Sequence, residues 1–143
     1  MIALDTNLLV YALFSGYPEH TIAKHAIERA CASAGGVIIA GPCVAEFWSI
    51  VTRPLPGLIA ARPKAAEAFL RRLSEAGCQF IYPRRDFARR LAEEAVRHTV
   101  TGSRIFDLQI GLVSVEAGAD ELWTHDAGFT APPGLRVLDP LQS

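Results

Sequence analysis

Cysteine is scarce in this chain of 143 residues, which contains only Cys31, Cys43 and Cys78. Their number is odd, their spacing is wide, and no Cys-x-x-Cys pair is present. This usage argues against a disulfide framework or a cysteine zinc site and favours buried free thiols in a reducing compartment. His20 and His25 are five residues apart and do not share a helical face, which argues against a zinc pair there.

Long hydrophobic runs are also absent. No stretch approaches the ~20 apolar residues that a membrane helix requires. The first apolar segment is interrupted by Asp5, Thr6 and Asn7, so it does not have the core of a signal peptide. Half of the residues are hydrophobic, and domains cluster near ~100 to 150 residues. We therefore expect one soluble, cytoplasmic domain over residues 1–143, with no membrane association.

Neither sign of charge dominates the chain, whose formal net charge is −1. Residues 53–97 carry ten basic and five acidic side chains, whereas the remainder carries four basic and ten acidic ones. A basic surface suits a polyanion, and an acidic one suits cations. Arg89 and Arg90 are therefore candidate nucleic-acid contacts. The alternative is an ordinary solvated helix face, because Glu93 and Glu94 follow them at four-residue spacing.

Short apolar runs alternate with helical patterns along the whole sequence. The pattern predicts strands at residues 2–4, 37–40, 79–82, 122–124 and 136–138. It predicts helices at residues 8–13, 18–34, 63–76, 86–98 and 105–117, and another that begins at Gly41-Pro42 and ends before Pro54. Residues 55–62 are predicted to form a loop. This alternation indicates an α/β fold with a mostly parallel central sheet and right-handed crossovers.

Two aspartates follow predicted strands. Asp5 comes directly after the first strand and Asp126 comes shortly after the fourth, so both belong at the carboxyl edge of the sheet, where functional groups gather. Each has a structural alternative, because aspartate also caps helices and forms turns such as Asp126-Ala127-Gly128.

Two further carboxylates lie in apolar helical sequence. Glu46 has apolar residues on almost every side, so we expect it to be buried and to meet a positive charge. Asp107 stands near the start of a helix that is apolar on more than one face, where a first-turn acid favoured by the helix dipole is the alternative. Together with Asp5 and Asp126 they form an oxygen-only set, which suits Mg²⁺ or Mn²⁺. Such an ion polarises a phosphate and activates water, as phosphodiester hydrolysis requires.

The motifs that carry these acids resemble those of one family. Residues 2–7, Ile-Ala-Leu-Asp-Thr-Asn, resemble the opening motif of PIN-domain proteins. Residues 41–47, 105–107 and 122–129 are similar to the family's second, third and fourth motifs. The resemblance spans nearly the whole chain, and the order and spacing of the motifs are more specific than any one of them.

This resemblance implies a three-layer α/β/α fold and a single-strand ribonuclease with Mg²⁺ or Mn²⁺ held by Asp5, Glu46, Asp107 and Asp126. It implies a supporting role for Thr6, Asn7 or Thr124. A short PIN chain is most similar to a VapC-like toxin of a type II toxin-antitoxin system, which implies an RNA substrate, a VapB-like antitoxin and a homodimer. His125 stands where the family often has a small or hydroxyl residue, and its role stays open.

Other classes of protein remain as alternatives. A phosphotransfer domain or phosphatase also places an aspartate after its first strand, but it needs a late lysine, and the only lysines are Lys24 and Lys64. A PIN nuclease of RNA maturation is the main alternative to a toxin. A non-catalytic interaction module on a PIN scaffold is a third, although all four acids are retained.

Overall fold

A computed structural model describes residues 1–142 and contains one five-stranded sheet. The strands are β1 (Ile2–Leu4), β2 (Val37–Ala40), β3 (Cys78–Ile81), β4 (Glu121–Trp123) and β5 (Arg136–Leu138). They lie in the order β3-β2-β1-β4-β5, and every neighbouring pair is parallel. The predicted α/β fold is therefore confirmed, and the sheet is wholly rather than mostly parallel.

Six helices connect the strands: α1 (Thr6–Leu13), α2 (His20–Cys31), α3 (Gly41–Val51), α4 (Pro63–Glu75), α5 (Phe87–Arg97) and α6 (Arg104–Glu116). Each was predicted, but α1 begins two residues earlier than expected. The reason is Asp5, whose side chain caps the helix by accepting from the backbone N–H of Thr6. No helix within residues 1–142 is long and apolar enough to cross a membrane.

The centre of the sheet is the most deeply buried part of the protein. Leu4, Ile38, Ile39 and Leu122, on β1, β2 and β4, are at most 1% exposed. Strands covered by helices on both faces need apolar residues in near-continuous runs, which explains the unbroken Val-Ile-Ile-Ala of β2. The edge strand β5 is more open and carries exposed residues at both ends.

The sheet order also creates a crevice. From β1 the chain passes through α1 and α2 to β2 on one side, whereas α5 and α6 lead from β3 to β4 on the other side. The loops that follow β1 and β4 therefore diverge at their carboxyl ends. Such a switch in direction is where open α/β sheets bind their ligands.

The three cysteines are free thiols, as predicted. Cys43 is fully buried in α3, and Cys78 is buried at the start of β3. Cys31 is only partly buried, and its Sγ lies 3.5 Å from Sγ of Cys78. The fold thus brings together two thiols that are far apart in sequence.

Candidate active site

Asp5 lies at the crevice, directly after β1, and its side chain is almost completely buried. Oδ1 accepts from the backbone N–H of Thr6 at 2.7 Å. Oδ2 accepts from Thr124 Oγ1 at 2.7 Å and from Asn7 Nδ2 at 3.2 Å. A buried carboxylate needs such partners. Asp5 is therefore both the helix cap that the sequence offered as an alternative and a carboxylate held rigidly at the sheet edge.

Thr124 connects the two sides of the crevice. Its side chain follows β4, is 1% exposed and donates to Asp5. The same oxygen accepts from Asn7 Nδ2 at 2.8 Å and from the backbone N–H of Asp126 at 3.1 Å. One hydroxyl thus joins the loop after β1 to the loop after β4. All three predicted supporting residues contact Asp5, Asn7 and Thr124 through their side chains and Thr6 through its backbone N–H.

Glu46 does not have the environment that its sequence predicted. The buried face of α3 is formed by Cys43, Phe47 and Val51, so Glu46 points away from the core and is exposed. The expectation of burial was wrong because the apolar neighbours of Glu46 in sequence do not all lie on one face. Within residues 1–142 Glu46 forms no salt bridge. Its Oε2 instead accepts from Thr6 Oγ1 at 3.1 Å, which places the carboxylate beside the crevice.

Asp107 and Asp126 lie on the other side of the crevice. Asp107 is half-buried in the first turn of α6. Burial raises its pKa, and repulsion from Asp126 raises it further, whereas the backbone of Thr130 and the charge of Arg104 lower it. Asp126 is exposed, and its Oδ1 accepts from the backbone N–H of Gly128 at 2.8 Å, which is the predicted turn.

Electrostatic repulsion links the four carboxylates in neighbouring pairs. Burial raises the pKa of Asp5 from 3.8 to about 6, against the lowering effect of Thr124 and Thr6. Repulsion from Glu46 and Asp107 adds to the increase. Because Asp107 is in turn coupled to Asp126, negative charge is concentrated along the whole edge, where a cation would be stabilised.

The donor set fits a hard divalent cation. All four side chains offer carboxylate oxygens, which Mg²⁺ and Mn²⁺ prefer. Within residues 1–142 no group of three or more histidine, cysteine, aspartate or glutamate side chains has the arrangement of a metal site. This is compatible with Mg²⁺, which is commonly bound by one or two carboxylates together with waters and substrate phosphates.

The two candidate arginines of α5 have different environments. Arg90 donates from Nε and Nη2 to the two carboxylate oxygens of Glu116 at 2.7 and 3.0 Å, so its guanidinium is already engaged. Arg89 is 75% exposed and has only a 3.8 Å ion pair with Glu93. Arg89 is therefore the freer of the two to contact a polyanion.

One polar contact at this edge was missed by sequence reasoning. Asp139 follows β5 directly, and its Oδ2 lies 2.8 Å from Nδ1 of His125. The rule that selected Asp5 and Asp126, an acid at the carboxyl end of a parallel strand, applies equally to Asp139. Applying the rule to the last strand would have identified it.

The fold is that of a PIN domain. The family model described as PIN domain matches residues 2–135, and the chain belongs to this family. It is 31% identical to Ribonuclease VapC24 of Mycobacterium tuberculosis, over 100% of this chain and 99% of that protein.

Two solved structures have the same fold. The Mycobacterium tuberculosis toxin VapC20, described as cleaving the Sarcin-Ricin loop, has a TM-score of 0.68 and 20% identity over 90% of this chain and 92% of its own. VapBC2 from Rickettsia felis, bound to a DNA fragment from its promoter, has a TM-score of 0.67 and 19% identity over 97% of this chain and 98% of its own.

The raised pKa of Asp5 predicts a pH-dependent stability in EDTA. The folded state binds the Asp5 proton more tightly than the unfolded state does. The contribution of Asp5 to stability is therefore complete below pH 3.8 and is lost as pH rises through about 6. Over this window the wild type should lose roughly 3 kcal/mol of unfolding free energy relative to Asp5→Asn. Urea unfolding at a series of pH values measures the difference.

The control is Glu67→Gln, an exposed carboxylate on α4 that lies outside this edge, which should follow the pH profile of the wild type. Parallel profiles for the wild type and Asp5→Asn would contradict the prediction, because they would show that the ionisation of Asp5 does not lower the free energy of unfolding.

Proposed function

We propose that the protein is a Mg²⁺- or Mn²⁺-dependent endoribonuclease that acts as the toxin of a toxin-antitoxin pair. The observation that carries this proposal is the position of the buried Asp5 carboxylate, at the switch point of the sheet and electrostatically coupled to Glu46 and Asp107. The VapC ribonuclease to which the chain is 31% identical supports the reaction class.

Each residue of the edge has a role in this proposal. Asp5, Glu46, Asp107 and Asp126 would hold the cation, directly or through its bound waters, and substrate phosphate oxygens would complete its coordination. Thr124 and Asn7 keep the Asp5 oxygens in one orientation, and Thr6 does the same for Glu46. When bound, the cation supplies polarisation of the phosphate and a water of lowered pKa. Pre-set carboxylates avoid reorganisation during the reaction.

The proposed partners are RNA, a VapB-like antitoxin and a second copy of the chain. The likeness to VapBC2 supports the antitoxin. Self-association is supported by large apolar side chains exposed on the surface, among them Trp48 on α3 and Phe106 on α6, which are 37% and 61% exposed. The basic segment of residues 53–97, with Arg89 on its surface, supports an RNA contact.

Metal-dependent cleavage should depend on Glu46. The purified protein should cleave single-stranded RNA with Mg²⁺ or Mn²⁺, and EDTA should stop the reaction. Glu46→Gln should lower the cleavage rate roughly tenfold to a hundredfold. The variant should stay folded, because the glutamine carbonyl can still accept from Thr6. Glu67→Gln, an exposed glutamate on α4, is the matched control and should keep the wild-type rate. Undiminished cleavage by Glu46→Gln, or in EDTA, contradicts the assignment.

The toxin proposal predicts growth arrest in cells. Induced expression of the wild type in a bacterium should stop growth, Glu46→Gln at equal levels should not, and co-expression of the neighbouring small gene should relieve the arrest. Growth rate and protein level are measured together. Normal growth with soluble, active enzyme would favour a PIN nuclease of RNA maturation instead.

Arg89 should contribute to the salt dependence of RNA binding. Arg89→Ala should weaken binding and reduce the slope of log K against log salt by about 0.7, the value for one phosphate contact on a single strand. Arg136→Ala, an exposed arginine at the start of β5, is the control and should leave the slope unchanged. An unchanged slope in Arg89→Ala would assign Arg89 to a solvated helix face.

A further inference from the structure

His125 lies between Thr124 and Asp126 and is held in one orientation by three contacts. Its backbone N–H donates to Asn7 Oδ1 at 3.0 Å. Its ring packs edge-on against Tyr11, with centroids 5.8 Å apart and an interplanar angle of 76°. Its Nδ1 lies 2.8 Å from Oδ2 of Asp139. A histidine fixed this firmly beside the acidic edge presents one ring nitrogen in a defined direction.

Asp139 determines which nitrogen of the ring carries the proton. A carboxylate oxygen only accepts, so Nδ1 must be the donor in this hydrogen bond. Asp139 is itself fixed, because its Oδ1 accepts from the backbone N–H of Leu141 at 2.9 Å. In the neutral ring Nε2 then carries the free lone pair. Within residues 1–142 Nε2 has no hydrogen-bond partner, and the side chain is 30% exposed.

An accepting nitrogen at this position selects among the groups of a nucleic acid. Phosphate oxygens only accept, the amino groups of the bases donate in RNA and DNA alike, and the 2′-hydroxyl, which can donate, is the donor that distinguishes RNA from DNA. We propose that Asp139 positions His125 so that Nε2 accepts a hydrogen bond from the 2′-hydroxyl of a nucleotide bound at the acidic edge. His125 then recognises the ribose, and Asp139 is the residue that positions it. This inference rests on the proposed ribonuclease function.

The substitution Asp139→Asn should change Nε2 of His125 from a hydrogen-bond acceptor into a donor, with little change in the shape of the side chain at position 139. The asparagine carbonyl keeps the contact with the N–H of Leu141, so its amide nitrogen faces Nδ1 and donates to it. His125 must then carry its proton on Nε2, which becomes a donor. An aspartate-to-asparagine change beside a functional histidine is known to impose the wrong tautomer in this way.

The test compares three single-stranded probes of one random sequence, made as RNA, as DNA and as 2′-O-methyl RNA. Binding is measured by fluorescence anisotropy with Mg²⁺ in the Glu46→Gln background, in which cleavage is suppressed and a cation can still offset the charge of the acidic edge. His125→Ala and Asp139→Asn should each lower the ratio of RNA to DNA affinity roughly fivefold, the loss of one hydrogen bond. The 2′-O-methyl probe, which lacks the donor, should behave as DNA. His25→Ala, an exposed histidine on α2, should keep the wild-type ratio.

The tautomer is measured separately by nitrogen-15 NMR of the histidine rings. The wild type should carry its proton on Nδ1 of His125, and Asp139→Asn should carry it on Nε2. A proton on Nε2 in the wild type, or an equal loss of RNA and DNA affinity in His125→Ala, overturns the proposal, the latter indicating a contact with a base or a phosphate. If the protein cleaves RNA but the affinity ratio is unchanged, only this inference fails. If it cleaves nothing and the ratio still depends on His125, only the nuclease proposal fails.

Discussion

The hydrogen bond from Thr124 to Asp5 is the interaction on which the site depends. An ionised carboxylate without partners would cost several kcal/mol in so buried a position, and Asp5 is only 6% exposed with three donors around it. Because the strongest of the side-chain donors comes from the loop after β4, the two central loops are joined at the point where they would otherwise separate. The geometry of the acidic edge is therefore set by a buried, uncharged hydroxyl.

The sheet order explains why this hydroxyl is in reach. β1 pairs with both β2 and β4, so Leu4 lies beside Trp123 and the residues that follow each strand emerge side by side. Glu46 and Asp107 come from helices α3 and α6, which flank the same crevice and contact each other. Burial at the centre and exposure at the rim give the four carboxylates different environments. Asp5 is held by three hydrogen bonds and its pKa is strongly raised, whereas Glu46 and Asp126 are open to solvent.

The strands, the helices and the acid after each central strand could be predicted, because apolar periodicity and the edge rule depend only on local sequence and on parallel pairing. The environment of Glu46 could not, because the face of α3 that meets the sheet is decided by packing around Phe47. The ion pair of Arg90 with Glu116 could not be predicted either, because it depends on the approach of α5 to α6 and leaves no local pattern. Asp139 was predictable in principle, since it follows β5 as Asp5 follows β1.

The position of β1 also has a consequence for the order of biosynthesis. The strand at the centre of the sheet, β1, is translated well before one of its two neighbours, β4, because two strands and six helices lie between them in sequence order. Asp5 and Glu46 are thus synthesised long before Asp107 and Thr124 exist to complete the crevice. Prematurely terminated chains that lack both α6 and β4 contain half of the acids and none of the bracing hydroxyl, so the acidic edge cannot assemble until β4 and the loop after it have been translated.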